Sequence, residues 1–144
     1  MVTGHAPIEI LLVEDNPADV RLTLEALKEA RVPNRLHVAR DGVEALRMLK
    51  DESGTVPRPD LILLDLNLPR KDGREVLQEI KQDESLRHIP VVILSTSQAE
   101  QDILQSYRLR ANAFITKPVE IDHFFQAMRS IEQFWLEVVK LARP

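Results

Sequence analysis

Residues 60–69 read Asp60-Leu61-Ile62-Leu63-Leu64-Asp65-Leu66-Asn67-Leu68-Pro69. Leu61 to Leu64 are consecutive aliphatic residues without polar alternation, which is typical of a strand covered on both faces of a parallel sheet. The run ends on an acid, Asp65. Ligands of open α/β sheets bind beyond the carboxyl ends of the strands. The stretch therefore predicts a buried strand that delivers a carboxylate to a functional edge.

Length and composition indicate one globular domain. The chain has 144 residues, of which 44% are hydrophobic and 29% are charged, and we expect a disordered lead over residues 1–7 and a single domain over residues 8–144, without an additional output domain. No apolar run is long enough for a membrane span. The net charge of −4 argues against general nucleic-acid binding. The absence of cysteine excludes disulfides and thiolate chemistry and fits a cytoplasmic location.

Four further segments have strand-like patterns, and helical patterns separate them. The predicted strands are residues 8–13, 36–39, 61–64, 91–94 and 113–116. The predicted helices run from Asn16-Pro17 to about residue 30, after Asp41-Gly42, after the turn at residues 69–73, over about residues 99–108, and from residue 121 to about 141. Five strands alternating with five helices predict an α/β doubly wound parallel sheet, with every carboxyl end at one edge.

The spacing of apolar residues predicts which helix faces point inward. The residues predicted to face the sheet are Val20, Leu24, Leu27, Val43, Leu46, Leu49, Val76, Leu77, Ile80, Phe124, Met128 and Ile131. The last helix carries more apolar residues than one face needs. We expect its distal residues Phe134, Trp135 and Val138 to contact a partner or a second copy of the chain.

Polar or charged groups end four of the five predicted strands. These groups are Glu14 with Asp15, Asp65, Ser95 and Lys117. Three carboxylates at one edge repel one another, so at least one pKa should rise unless a cation neutralises them. Magnesium prefers oxygen ligands and is commonly held by carboxylates together with phosphate, and lysine and serine can bind phosphoryl oxygens. The set therefore predicts a site for Mg²⁺ and a phosphoryl group, with an aspartate as the nucleophile.

The individual residues leave other interpretations open. An acid after a strand is often a helix cap or a loop residue, so the hypothesis depends on the whole set. A magnesium-dependent phosphatase of the haloacid-dehalogenase kind would also use Asp65, but it needs a second acid two residues later, where this chain has Asn67. A docking scaffold that is never phosphorylated is a third possibility.

The same segments resemble a known family. They are Leu12-Val13-Glu14-Asp15-Asn16, residues 63–69 with Gly73, Leu94-Ser95-Thr96, and Phe114-Ile115-Thr116-Lys117-Pro118. Together they resemble the receiver domain of two-component response regulators over about residues 8–132. The resemblance implies a flavodoxin-like (βα)5 fold with strand order 2-1-3-4-5.

The resemblance also implies a role for each metal-site residue. Asp65 matches the phosphoacceptor and a metal ligand, and Asp15 matches a direct Mg²⁺ ligand. Glu14 matches the neighbouring acid that acts through metal-bound water. Asn67 matches the residue whose backbone carbonyl binds the metal.

The remaining matches concern the phosphoryl group and the switch. Lys117, Ser95 and Thr96 match phosphate-binding residues, and Pro118 matches a proline that follows a cis bond. Ser95 and Phe114 match the switch hydroxyl and the switch aromatic. Because position 114 is phenylalanine, the hydroxyl of a switch tyrosine is absent here.

Residues 66–73, 94–97 and 131–136 resemble a narrower group, the small regulators paired with phytochrome-type histidine kinases. This resemblance implies a bacteriophytochrome kinase as phosphoryl donor. It also implies a homodimer through the fourth helix, the fifth strand and the last helix. The predicted protein is a signalling phosphoacceptor rather than an enzyme, and it acts through protein contacts.

Overall fold

The computed structural model describes residues 7–29, 33–95 and 111–129. Its elements there are β1 (Ile8–Val13), α1 (Pro17–Lys28), β2 (Asn34–Ala39), α2 (Gly42–Leu49), β3 (Leu61–Asp65), α3 (Gly73–Gln82), β4 (Val91–Ser95), β5 (Ala113–Thr116) and α4 (Ile121–Arg129). The predicted lead before residue 7, the helix over 99–108 and the continuation of the last helix past Arg129 lie outside these residues.

The strands form one sheet in the order β2-β1-β3-β4-β5, and every neighbouring pair is parallel. This confirms the doubly wound sheet and the strand order 2-1-3-4-5. The edge strand β2 begins two residues earlier than its alternating pattern predicts, because Ile8 of β1 pairs with Asn34. All carboxyl ends lie at one edge of the sheet, as right-handed crossovers require.

Strand side chains alternate between two cores, one on each face of the sheet. The core beneath α1 and α4 consists of Ile8, Ile10, Leu12, Ala26, Leu27, Leu61, Leu63, Val92, Leu94, Ala113, Ile115, Val119, Phe124 and Ala127. The core beneath α2 and α3 consists of Leu11, Val13, Ala39, Ala45, Leu46, Ile62, Leu64, Leu66, Val76, Leu77, Ile80, Leu86, Ile89, Val91 and Ile93. Every residue of β3 is buried, so both cores hold the strand that carries Asp65.

Two predicted inward residues are exposed. Leu24 is 37% exposed and Val43 is 40% exposed, so these two predictions are wrong. On α1 the buried side includes Thr23 and Leu27. Thr23, which directly precedes Leu24, takes the inward position. It tolerates burial because its hydroxyl donates to the carbonyl of Asp19.

Gly73 begins α3 directly against the end of β3. Its N–H donates to the carbonyl of Leu66 at 3.1 Å. A Cβ atom at this position would overlap the Asp65 carbonyl and lie 2.7 Å from the Cα of Leu66. Glycine is therefore required for α3 to pack closely against the backbone that carries Asp65.

The helices within the described ranges include none long and apolar enough to cross a membrane.

Candidate functional site

The strand register places the acids of β1 and β3 side by side. Val13 pairs with Leu64, so the residues that follow them, Glu14 and Asp65, lie at the same level of the sheet. Glu14 is 1% exposed and Asp65 is 4% exposed. Two acids are thus buried next to each other at the carboxyl edge.

Asp15 completes a group of three carboxylates. One oxygen each from Glu14, Asp15 and Asp65 lies within 4.8 Å of the other two, and Asp15 is exposed to solvent. An all-oxygen donor set with one solvent-facing member suits a hard divalent cation that keeps several waters, such as Mg²⁺. The residues present therefore fit a metal site.

Lys117, which directly follows β5, reaches back to these acids. Its Nζ lies 2.5 Å from Glu14 Oε1 and 2.9 Å from Asp65 Oδ2. Burial lowers the pKa of Lys117, but the hydrogen bonds with Glu14 and Asp65 outweigh it, so the pKa is raised overall. The ammonium stays charged beside the acids, where it can bind another anion.

Burial at the sheet edge changes the protonation of Glu14. Burial raises the pKa of Glu14 to about 7; the Lys117 ammonium opposes this change, and the Asp65 carboxylate adds to it. A raised pKa for at least one of the acids agrees with the expectation from the sequence.

Backbone donors orient both buried carboxylates. Asp65 Oδ1 accepts from the N–H of Asn67 at 3.0 Å, and Glu14 Oε2 accepts from the N–H of Asn16 at 3.2 Å. The backbone of the turn that follows β3 thus orients Asp65, and the backbone of the turn that follows β1 orients Glu14. Metal binding by the Asn67 carbonyl and a water-mediated role for Glu14 stay predictions.

The other predicted residues are only partly described. Ser95 is the last residue of β4, but its side chain is outside the described part of the structure, as are Thr96, Phe134, Trp135 and Val138. Phe114 is partly buried against the core beneath α2 and α3. The Lys117–Pro118 bond is cis.

Asp19 belongs to the site although no sequence pattern singled it out. Its Oδ2 lies 3.1 Å from Lys117 Nζ. An acid in the first turn of a helix is ordinarily explained by the helix dipole. The signal that could have found it is position, since the first turn of α1 follows β1 at the carboxyl edge of the sheet.

Comparison with known proteins is consistent with this geometry. The family model of the response regulator receiver domain matches residues 10–129. The response regulator Rcp1 of Synechocystis sp. is 50% identical over 140 residues, covering 96% of this chain and 95% of Rcp1.

Solved structures give the same picture. The bacteriophytochrome response regulator AtBRR is 49% identical with a TM-score of 0.80, over 91% of this chain and 96% of that one. The phosphorylated cyanobacterial phytochrome response regulator RcpA is 53% identical with a TM-score of 0.74, over 91% and 95%. The Mn²⁺-bound form of Rcp1 is 50% identical with a TM-score of 0.73, over 91% and 96%.

Proposed function

This chain belongs to the response regulator receiver family, and from that premise we propose that it accepts a phosphoryl group on Asp65 from a histidine kinase. The observation that carries the proposal is the convergence of three carboxylates within 4.8 Å of one another, with the Lys117 ammonium 2.9 Å from Asp65. The proposed nucleophile Asp65, a group of carboxylate oxygens that suits a divalent cation, and the Lys117 ammonium thus lie at one edge of the sheet.

In the proposed step an Asp65 carboxylate oxygen attacks the phosphorus of a phosphohistidine. The phosphorus–nitrogen bond breaks, the imidazole leaves, and Asp65 becomes an acyl phosphate. Lys117 lies where its ammonium can pair with a phosphoryl oxygen when the Asp65 oxygen forms its bond to phosphorus. The Asn67 N–H holds the carboxylate in orientation through its other oxygen.

The metal of the proposed site is Mg²⁺, which Asp15, Asp65 and the Asn67 carbonyl would hold, with Glu14 beside them. Bound Mg²⁺ would neutralise charge on the acids and on the phosphoryl oxygens. The Mn²⁺-bound form of Rcp1 supports a divalent cation in this family. Burial and the neighbouring Asp65 carboxylate raise the pKa of Glu14, and a divalent cation would oppose both effects by favouring the charged carboxylate.

The proposed donor is a phytochrome-type histidine kinase. Support comes from AtBRR, a bacteriophytochrome response regulator, and RcpA, a cyanobacterial phytochrome response regulator, which share about half of their residues with this chain. We place the chain in the cytoplasm, which its lack of cysteine supports.

The proposed output is a change of surface. An acyl phosphate at Asp65 would draw the Ser95 hydroxyl and Lys117 toward it, and Phe114 would change its packing. Phe114 is only partly buried, which leaves it room to move. The altered face would then bind a protein partner.

Phosphorylation can be tested directly. The protein is incubated with acetyl phosphate, with and without Mg²⁺, and its intact mass is measured. We expect a Mg²⁺-dependent phosphoryl adduct that Asp65→Asn abolishes. Asp60→Asn is the matched control, because Asp60 precedes the same strand at its opposite end, where it accepts from the N–H of Glu9. Rapid turnover of varied phosphomonoesters would instead favour the phosphatase.

The kinase assignment needs its own measurement. Transfer from an autophosphorylated bacteriophytochrome kinase should be faster than transfer from a histidine kinase of another class at equal concentration. Equal rates would contradict the phytochrome pairing but not phosphoryl acceptance.

The proposed homodimer uses the predicted continuation of the last helix, with Phe134, Trp135 and Val138 at the interface. Replacing Phe134 and Trp135 with serine should shift the solution mass toward the monomer while leaving the phosphorylation rate unchanged. The solution mass is measured by light scattering with and without acetyl phosphate. An unchanged mass would contradict this interface.

A further inference from the structure

Lys117 has a third carboxylate partner, and that partner is placed differently from the other two. Asp19 Oδ2 lies 3.1 Å from Lys117 Nζ, yet Asp19 is not part of the Glu14–Asp15–Asp65 group. Glu14 and Asp65 are buried in the sheet edge, whereas Asp19 projects from the first turn of α1 with 29% of its side chain exposed. The ammonium is therefore held between α1 and the sheet.

The backbone of Asp19 is fixed on both sides. Its N–H donates to Asn16 Oδ1 at 3.2 Å, and its carbonyl accepts from the Thr23 hydroxyl at 2.9 Å. Asn16 caps α1 through these bonds. The carboxylate of Asp19 thus starts from a rigid helix turn, which suits a group that orients another side chain.

The other two partners of Lys117 do not stay constant during the proposed reaction. A divalent metal would engage the Glu14–Asp15–Asp65 carboxylate group, and the proposed phosphorylation would convert the Asp65 carboxylate into an acyl phosphate. Asp19 lies outside the carboxylate group that would hold the metal and is not the proposed acceptor, so neither event takes its carboxylate away from Lys117. Since lysine is a flexible chain with a single charged end, a constant partner limits where the ammonium can go.

We propose that Asp19 is a positioning residue that keeps the Lys117 ammonium at the phosphoryl site while Glu14 and Asp65 change partners. This inference rests on the proposed phosphoryl acceptance at Asp65. Without Asp19, Lys117 retains its charge but loses the constraint from α1. The rate of phosphoryl transfer falls, and the binding of the divalent cation by the acidic group changes little.

The test compares Asp19→Asn with wild type as full-length proteins. Phosphorylation by acetyl phosphate with Mg²⁺ is followed by intact mass over a range of donor concentrations. We expect the maximal rate to fall about tenfold, the size of one charge-assisted hydrogen bond, with a smaller change in the half-saturating donor concentration. Binding of Mg²⁺, measured by calorimetry, should stay within about threefold, because Asp19 lies outside the carboxylate group.

Two further variants separate positioning from helix stability. Asp19→Glu should recover most of the rate, since it restores a carboxylate near Lys117. Glu25→Gln removes the same charge from the same helix, where Glu25 pairs at the surface with Lys28, and should phosphorylate like wild type. The ¹⁵N signal of the Lys117 ammonium should broaden or shift in Asp19→Asn and not in Glu25→Gln.

The outcomes distinguish this inference from the proposed function. A normal wild-type adduct together with an unchanged or faster maximal rate in Asp19→Asn overturns the positioning role alone. A wild-type protein that forms no Mg²⁺-dependent adduct at Asp65 overturns both. An equal loss of rate in Glu25→Gln also overturns the positioning role, because it would show a general effect of charge or stability.

Discussion

Gly73 lets α3 begin against the backbone of Asp65, because a Cβ there would lie 2.7 Å from Leu66 Cα. We expect Gly73→Ala to destabilise the protein by about 1–3 kcal/mol through overpacking and to slow phosphorylation by displacing Asp65. Urea unfolding and the acetyl phosphate assay measure the two effects.

Gly54→Ala is the control for that substitution. Gly54 has a φ of +82°, and a Cβ atom added there would meet no other atom within 4 Å, so alanine is strained by its backbone alone. It should lose stability without slowing phosphorylation. A Gly73→Ala protein that is destabilised but phosphorylates at the wild-type rate would show that the glycine serves packing only.

The protonation of Glu14 makes metal binding depend on pH. Its pKa rises from 4.5 to about 7 in the folded protein without metal, so the folded state binds this proton more tightly than the unfolded chain does. The stability of the metal-free protein therefore falls as pH rises from about 4.5 to 7. Mg²⁺ must displace the proton at pH 6 but not at pH 8, so its Kd should be about tenfold weaker at pH 6.

Calorimetric titration at both pH values checks this expectation. Glu14→Gln has no titrating group at that position and should lose most of the pH dependence. Equal Mg²⁺ affinity of the wild type at pH 6 and pH 8 would contradict the assignment of the proton to Glu14.

At the scale of elements, α1 depends on its cap. Asn16 Oδ1 accepts from the N–H groups of Ala18 and Asp19 at 2.8 and 3.2 Å. Asn16→Ala should cost about 1 kcal/mol of unfolding free energy, and Asn16→Asp should retain most of it. Thermal unfolding followed by circular dichroism measures the loss; equal stability of Asn16→Ala and wild type would show that solvent satisfies these donors.

The strands were the most predictable elements. The apolar runs of β1, β3 and β4 lack alternation because both faces of the sheet are covered, and that burial leaves a direct mark on the sequence. Helix faces were less predictable. Leu24 and Val43 fit an apolar stripe, but the residues that face the core on these helices are Thr23, Ala26 and Leu27 on α1 and Ala45 and Leu46 on α2, so Leu24 and Val43 reach solvent.

The residues of the candidate site that follow strands were predictable from the sequence, and the residue that lies in a helix was not. Asp65 ends β3, and Glu14, Asp15 and Lys117 follow the ends of β1 and β5. Parallel topology brings these strand ends together, so the proximity of the four residues follows from the sequence. Asp19 lies inside a helix, and its contact with Lys117 depends on how α1 packs on the sheet. The spacing of residue types along the sequence does not predict how α1 packs on the sheet.

At the scale of the whole molecule, Lys117 joins β5 to β1, β3 and α1. We expect Lys117→Met to cost about 3 kcal/mol at pH 8, because it leaves buried carboxylates without their cation. Mg²⁺ should stabilise this variant more than it stabilises wild type, because in the variant Mg²⁺ neutralises the acids that the missing ammonium leaves unpaired. Urea unfolding with and without Mg²⁺ checks both expectations.

Lys28→Met is the control, because Lys28 and Glu25 form a pair that is 62% exposed on both sides. Loss of this surface ion pair should change the free energy of unfolding by less than about 0.5 kcal/mol. A Lys117→Met protein that gains no more from Mg²⁺ than wild type does would show that the ammonium and the cation do not share the same acids.

The long sequence separation of the Lys117 contacts also affects when the molecule becomes competent during synthesis. Lys117 is 98 residues from Asp19 and 52 residues from Asp65. A nascent chain on the ribosome therefore contains the Asp65 carboxylate well before the Lys117 ammonium is translated. Under the proposed function, unfinished chains would be poor phosphoryl acceptors, so a kinase would not lose its phosphoryl group to molecules that cannot yet respond.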